Sequence, residues 1–143
     1  MKHIHKTALV PYSTELMLDL IADVEQYPQF LTWCTDASVL KEDGNINEAQ
    51  LVISVAGVKQ RFSTRNTLGE FSLEMQLIKG PFKQLSGFWQ CHQLGELGCK
   101  VELKLDFDFA SGILNHAFAK GFGVVAARLL SDFCQRADKL YGS

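Results

Sequence analysis

The 143 residues suit one domain, and 47% apolar with 21% charged residues is an ordinary globular balance. A formal charge of −2 and a pI near 6.1 exclude a surface that is basic throughout, as a dedicated nucleic-acid-binding domain would carry, but leave room for a local basic patch. Met1-Lys2-His3-Ile4-His5-Lys6 has neither the apolar stretch of a signal peptide nor the Arg/Ser pattern of a transit peptide, and no apolar run nears the ~20 residues of a membrane span, so a cytoplasmic protein is expected.

Residues 2–10 read as an extended segment that Pro11-Tyr12-Ser13 breaks. The Ser13 hydroxyl can cap a helix of about three turns by taking a free first-turn N–H, with Tyr12 and Met17 at the two staple positions around it. Leu16, Met17, Leu20, Ile21 and Val24 share one face of this helix, and Asp19, Asp23 and Glu25 look away. Pro28 suits the opening of a second, shorter helical turn, where its missing N–H is not needed. That turn is rich in rings: Tyr27, Phe30 and Trp33.

The middle of the chain alternates with period two. From Cys99 to Phe109 every odd position is apolar or Cys and every even position is Lys, Glu or Asp, the pattern of a strand with one buried and one wet face. Weaker strands are expected at about 35–42, 49–56, 58–68, 71–79 and 83–93, separated by Asp43-Gly44-Asn45, Gly57, Gly69, Gly80-Pro81 and Gly95-Glu96-Leu97-Gly98. Connections this short pair sequential strands as antiparallel hairpins. The register of 83–93 stays open: Leu85, Trp89 and Cys91 share one parity, Phe88 the other, and a one-residue slip exchanges the faces. Residues 112–141 form a long helix with Leu114, Phe118, Phe122, Val125, Leu129, Phe133 and Leu140 on one face, Ser111 able to cap it and Gly142 able to end it. Arg128, Asp132 and Arg136 are four apart on the other side and can pair. The fold class is therefore α+β, about seven antiparallel strands with one long C-terminal helix.

Catalytic signatures are lacking: no GxSxG, no HExxH and no phosphate-cradling glycine loop occurs, so the expected role is non-enzymatic. Cys34, Cys91, Cys99 and Cys134 include no CxxC pair, which argues against a zinc site and for free thiols. His3 and His5 sit at the terminus, His92 and His116 stand alone, and Asp106 and Asp108 share the wet face of the best strand.

A helix is about 10 Å wide, whereas seven strands at about 4.8 Å each form a far wider sheet. The sheet must curl round the helix, and incomplete closure leaves an apolar pocket between them. Its expected lining is Phe30, Trp33, Phe62, Met75, Phe82, Trp89, Phe107, Phe118 and Phe122, mostly from inward faces, with Phe82 from the Gly80-Pro81 loop. Gly121 and Gly123 remove bulk from the long helix, either for a ligand or for close packing on the sheet. Lys59, Arg61 and Arg65, with Ser63 between them, share one strand face, and Lys100 and Lys104 point outward on another strand. Such a stripe can meet phosphates in a salt-dependent manner, or serve only as a solvated, edge-protecting face.

Pro11-Tyr12-Ser13, the run from Ala22 through Tyr27-Pro28-Gln29-Phe30-Leu31-Thr32-Trp33-Cys34, Phe62-Ser63-Thr64-Arg65-Asn66, Gly80-Pro81-Phe82 and Arg136-Ala137-Asp138-Lys139-Leu140-Tyr141-Gly142 together resemble the coenzyme Q-binding START-like family, which includes the ribosome-association toxins (RatA) and is grouped with polyketide cyclase/dehydrase-type proteins. The resemblance spans essentially the whole chain; Thr32 stands where the family usually has Pro. It implies the helix-grip (START-like, Bet v 1-like) fold and two activities. One is binding of ubiquinone or another isoprenoid lipid, as ligand rather than required cofactor, with transient contact to a membrane surface. The other is binding to the large ribosomal subunit, with Lys59, Arg61 and Arg65 as candidate contacts.

Overall fold

In chain order the elements are β1 (Lys2–Val10), α1 (Thr14–Ala22), a 3₁₀ helix (Val24–Gln29), β2 (Cys34–Asp43), β3 (Ile46–Val55), β4 (Val58–Leu68), β5 (Ser72–Lys79), β6 (Phe82–Gln93), β7 (Cys99–Phe109) and α2 (Ile113–Tyr141). This computed structural model describes residues 1–142, with the side chains of 113–115 excepted, so the expected inner-face role of Leu114 lies outside the described residues. All seven strands form one antiparallel sheet in the order β1-β7-β6-β5-β4-β3-β2. Consecutive strands from β2 to β7 pair as hairpins, as their short turns require, and β1 returns to the far edge beside β7.

The helix α2 touches β1 and β7 toward one edge and β3 and β4 toward the other, so the sheet curls round it. The pairing shifts register between Cys34 and Asp36, Val39 and Lys41, Ser63 and Thr64, and Phe82 and Gln84. Such bulges bend a strand and raise its twist, which is how a sheet of this width wraps a single helix. The β3–β4 turn places Ala56 and Gly57 both at positive φ, 51° and 74°, as a two-residue turn matched to the sheet twist demands. Gly121 sits against this turn: a Cβ there would lie 2.8 Å from Val55 Cβ, so the glycine serves close packing of α2 on the hairpin. A Cβ on Gly123 would approach only Lys2 Nζ, at 3.7 Å.

The Ser13 hydroxyl caps α1 by accepting from the Leu16 N–H at 3.1 Å. Leu16 itself is 38% exposed, and Thr14 and Leu18 take buried places beside Met17, Leu20 and Ile21. The helix also ends at Asp23 (φ −84°, ψ 70°), one turn earlier than its periodicity suggests. Pro28 lies near the end of the 3₁₀ helix rather than opening a turn. In α2 the N-cap position belongs to Gly112, not Ser111, and Gly142 closes the helix by donating to the Asp138 carbonyl at 2.9 Å. Ala126, Leu130 and Ala137 join Phe118, Phe122, Val125 and Phe133 on its buried face, whereas Leu140 is 49% exposed. Arg128, Asp132 and Arg136 form no ion pair among the described residues; Arg136 instead lies over the Phe30 ring, 5.4 Å from its centre.

Candidate functional site

The inner face of the sheet and α2 enclose an apolar cavity of about 80 Å³. Phe62 and Thr64 of β4, Met75 of β5, and Leu85, Gly87 and Trp89 of β6 form its sheet wall, and Phe122, Ala126, Leu129 and Phe133 its helix wall. Tyr27, Leu31, Trp33 and Cys34 close one side. Trp33, Leu51, Met75 and Leu129 are half-buried and make its rim. The void follows from side-chain size: along the buried face of α2, Phe122 and Phe133 flank the small Ala126, and no ring fills the gap opposite β5 and β6.

None of the described residues that line the cavity carries an ionised side chain. Burial raises the Tyr27 phenol far above its usual range, and its hydroxyl donates to the Ile21 carbonyl at 2.5 Å. Burial likewise pushes the Cys34 thiol up to about 11, so it stays neutral. The Thr64 hydroxyl donates to Asn66 Oδ1 at 2.9 Å, and Asn66 Nδ2 donates to Asn47 Oδ1 at 3.0 Å, so this buried polar chain is already satisfied. Such a wall suits an apolar guest held by burial, and it offers no acid–base pair.

Of the nine residues expected around a ligand, Trp33, Phe62, Met75, Trp89 and Phe122 line the cavity. Phe82, Phe107 and Phe118 do not: with Phe62, Phe109 and Phe122 they fill the space beneath the start of α2, ring against ring at 5.0–6.5 Å. Phe82 opens β6 instead of standing on a loop, and it is buried. Phe30 packs on Tyr27 and Phe133 from outside and lines a surface cleft with Arg136. Sequence reasoning missed Tyr27, Leu31, Leu51 and Phe133; the available signal was the Phe122–Ala126–Phe133 spacing. In β6 the Leu85–Trp89–Cys91 parity faces inward, and Phe88 lies outside under Lys104 Nζ at 5.3 Å.

The convex face carries the charge. Lys59, Arg61 and Arg65 project from β4 into solvent. Arg65 approaches Glu48 across the strand pair at 3.8 Å, while Lys59 and Arg61 have no ion pair among the described residues. Ser63, on the same face, is only 4% exposed. On β1 and β7, His3 Nδ1 meets Asp106 at 2.5 Å, and His5 Nε2 meets Glu102 at 2.5 Å, with His92 Nε2 3.5 Å from the same carboxylate. His92 is thus not isolated, and neither Asp106 nor the terminal histidines are merely solvated. All four cysteines are free thiols.

Residues 10–134 match the family model described as polyketide cyclase/dehydrase and lipid transport. The chain is 42% identical over 141 residues to a ribosome association toxin, RatA, of Pseudomonas aeruginosa, covering 98% of each. It is 25% identical to the mitochondrial coenzyme Q-binding protein coq10 of Schizosaccharomyces pombe, over 90% of this chain and 82% of that one. The Zhui aromatase/cyclase of Streptomyces sp. R1128 shares the fold at TM-score 0.84 and 17% identity, over 96% of this chain and 94% of that one. A curled antiparallel sheet gripping one long helix, matched in sequence nearly end to end, makes this chain a member of the START-like polyketide cyclase/dehydrase and lipid-transport family.

Proposed function

We propose that the chain is a ribosome-association factor that binds the large ribosomal subunit in the cytoplasm and hinders its joining to the small one. The observation that carries this reading is the 42% identity, across 98% of both chains, to a relative named for ribosome association. Lys59 and Arg61, exposed and without ion pairs among the described residues, support it by giving a slightly acidic protein a local cationic face. Overexpression followed by sucrose-gradient profiles tests it: joined ribosomes should fall and free subunits rise, and an unchanged profile would sink the reading.

The cavity favours a second role, non-enzymatic binding of an apolar ligand such as an isoprenoid quinone. The relative named for coenzyme Q binding supports that class of guest. At about 80 Å³ the cavity is smaller than the ~150 Å³ that holds benzene, so a quinone enters only if α2 and the rim at Trp33 and Met75 move apart. Each buried CH₂ contributes about 0.8 kcal/mol toward that movement. Solvent extraction and mass spectrometry of purified protein, with titration of added quinone, test this role. Ala126→Leu, which grows into the void, should abolish quinone binding and leave the gradient profile unchanged.

A further inference from the structure

On the convex face, Gln50, Arg61, Phe62, Ser63, Lys79 and Gly80 line a cleft of about 230 Å³. It owes its form to the bulge between β4 and β5. Thr64 pairs with Leu77, facing inward, and Ser63 pairs next with Lys79, so Ile78 is the extra residue. Without the bulge, strict alternation would send Lys79 to the apolar side with Leu77; with it, Lys79 stands outside beside Ser63. Gly80 then crosses over Phe62 so closely that a Cβ would lie 2.4 Å from Phe62 Cβ, at a φ of 157°. The crossing is open only to glycine and makes the floor of the cleft.

Within it, Ser63 is only 4% exposed as a residue. Ser63 lines the cleft together with Arg61 and Lys79, so its hydroxyl can reach a guest seated there. Arg61 and Lys79 flank it and form no ion pair among the described residues. A planar guanidinium, an ammonium and a hydroxyl round one notch are the donor set that holds a phosphate. From this geometry we infer that the cleft is a phosphodiester-binding notch that seats a backbone phosphate of RNA, resting on the reading that the chain acts at the ribosome. A lipid headgroup offers similar chemistry, but of the apolar side chains beside the cleft on this face Val52, paired with Arg61, is buried and Ile78 alone stands well exposed, at 42%. A membrane-surface anchor presents a continuous apolar face instead.

The test uses the full chain. Purified large ribosomal subunits are pelleted with wild type, Ser63→Ala, Arg61→Gln, Lys79→Gln and, as a control cation on α2, Lys120→Gln, over a series of salt concentrations. Arg61→Gln and Lys79→Gln should each weaken binding about tenfold and lower the salt slope by about 0.7–0.9, the share of one phosphate. Ser63→Ala should weaken binding about fivefold at unchanged slope, because it removes a neutral donor; Lys120→Gln should bind as wild type. In parallel, inorganic phosphate is titrated into the free labelled protein, with amide shifts expected at Ser63, Lys79 and Gly80. Variants that bind subunits like wild type, or absent shifts, overturn the notch. Wild type that ignores subunits yet shows the shifts overturns the ribosome reading and keeps the phosphate site. Notch-dependent pelleting with phosphatidylglycerol vesicles, and not with subunits, overturns the assignment to RNA.

Discussion

Glu102 sits between two histidines on the wet face of β7, bonded to His5 at 2.5 Å and 3.5 Å from His92. The His5 contact, first among the causes, holds its carboxyl below the ordinary value near 4.5. A lowered carboxylate stabilises the fold above the unfolded value, and that share is lost as pH falls through the folded one. Glu102→Gln should therefore lower stability at pH 5.5–6, by less than ~1 kcal/mol because the pair is solvent-screened. The two proteins should converge once pH falls below the lowered folded value of Glu102, as read from urea midpoints. This cluster was hidden from the sequence, where His5, His92 and Glu102 lie far apart. Only the registers of β1 and β6 on β7, with Thr7 opposite Glu102 and His92 opposite Lys100, bring them together. The cavity wall was half legible for a related reason. Trp89 and Phe62 follow from strand parity, but whether a ring lines space or fills it depends on the volume across from it. Phe107 and Phe118 face their own kind, whereas Trp89 and Phe133 stand near Ala126.

At the scale of elements, α2 carries two glycines with opposite meaning. Gly121→Ala gains helix propensity of about 1 kcal/mol but drives a methyl to 2.8 Å from Val55. Overpacking of that kind costs about 1–3 kcal/mol, so a net loss of stability is expected in thermal unfolding. Gly123→Ala meets nothing nearer than Lys2 Nζ at 3.7 Å and should gain up to ~1 kcal/mol in the same assay. Sequence periodicity located β4, β7 and α2 closely, because eleven-residue alternation and a long 3.6-residue repeat each over-determine their face. It misjudged Leu16 because α1 has only nine residues, too few turns for the repeat to separate one face from its neighbour. Bulges were equally invisible, since the extra residue at Ile78 looks like ordinary alternation until Ser63 and Lys79 are seen paired.

For the whole molecule, the two faces of the sheet divide the labour: apolar within, charged and polar without, with carboxylates as well as cations on the outer face. That separation makes the two proposed roles dissociable. Ala126→Leu acts only inside and Arg61→Gln only outside, so each should disturb one assay and spare the other. No helix among the described residues is long and apolar enough to cross a membrane. Both edges of the sheet, β1 and β2, are rich in exposed charge, which discourages edge-to-edge pairing between copies.

The partnership of β1 with β7 has a consequence for biosynthesis. Lys2 is paired with Phe107 and Val10 with Cys99, so β1 leaves the ribosome long before its partner β7 is made. Pairings of such sequence separation are slow to form, and until residues 99–109 arrive the curled sheet lacks one edge and, with α2 not yet made, has nothing to fill its concave face. A nascent chain stalled before β7 should remain protease-sensitive throughout, and synthesis of β7 and α2 should convert it abruptly to a resistant state.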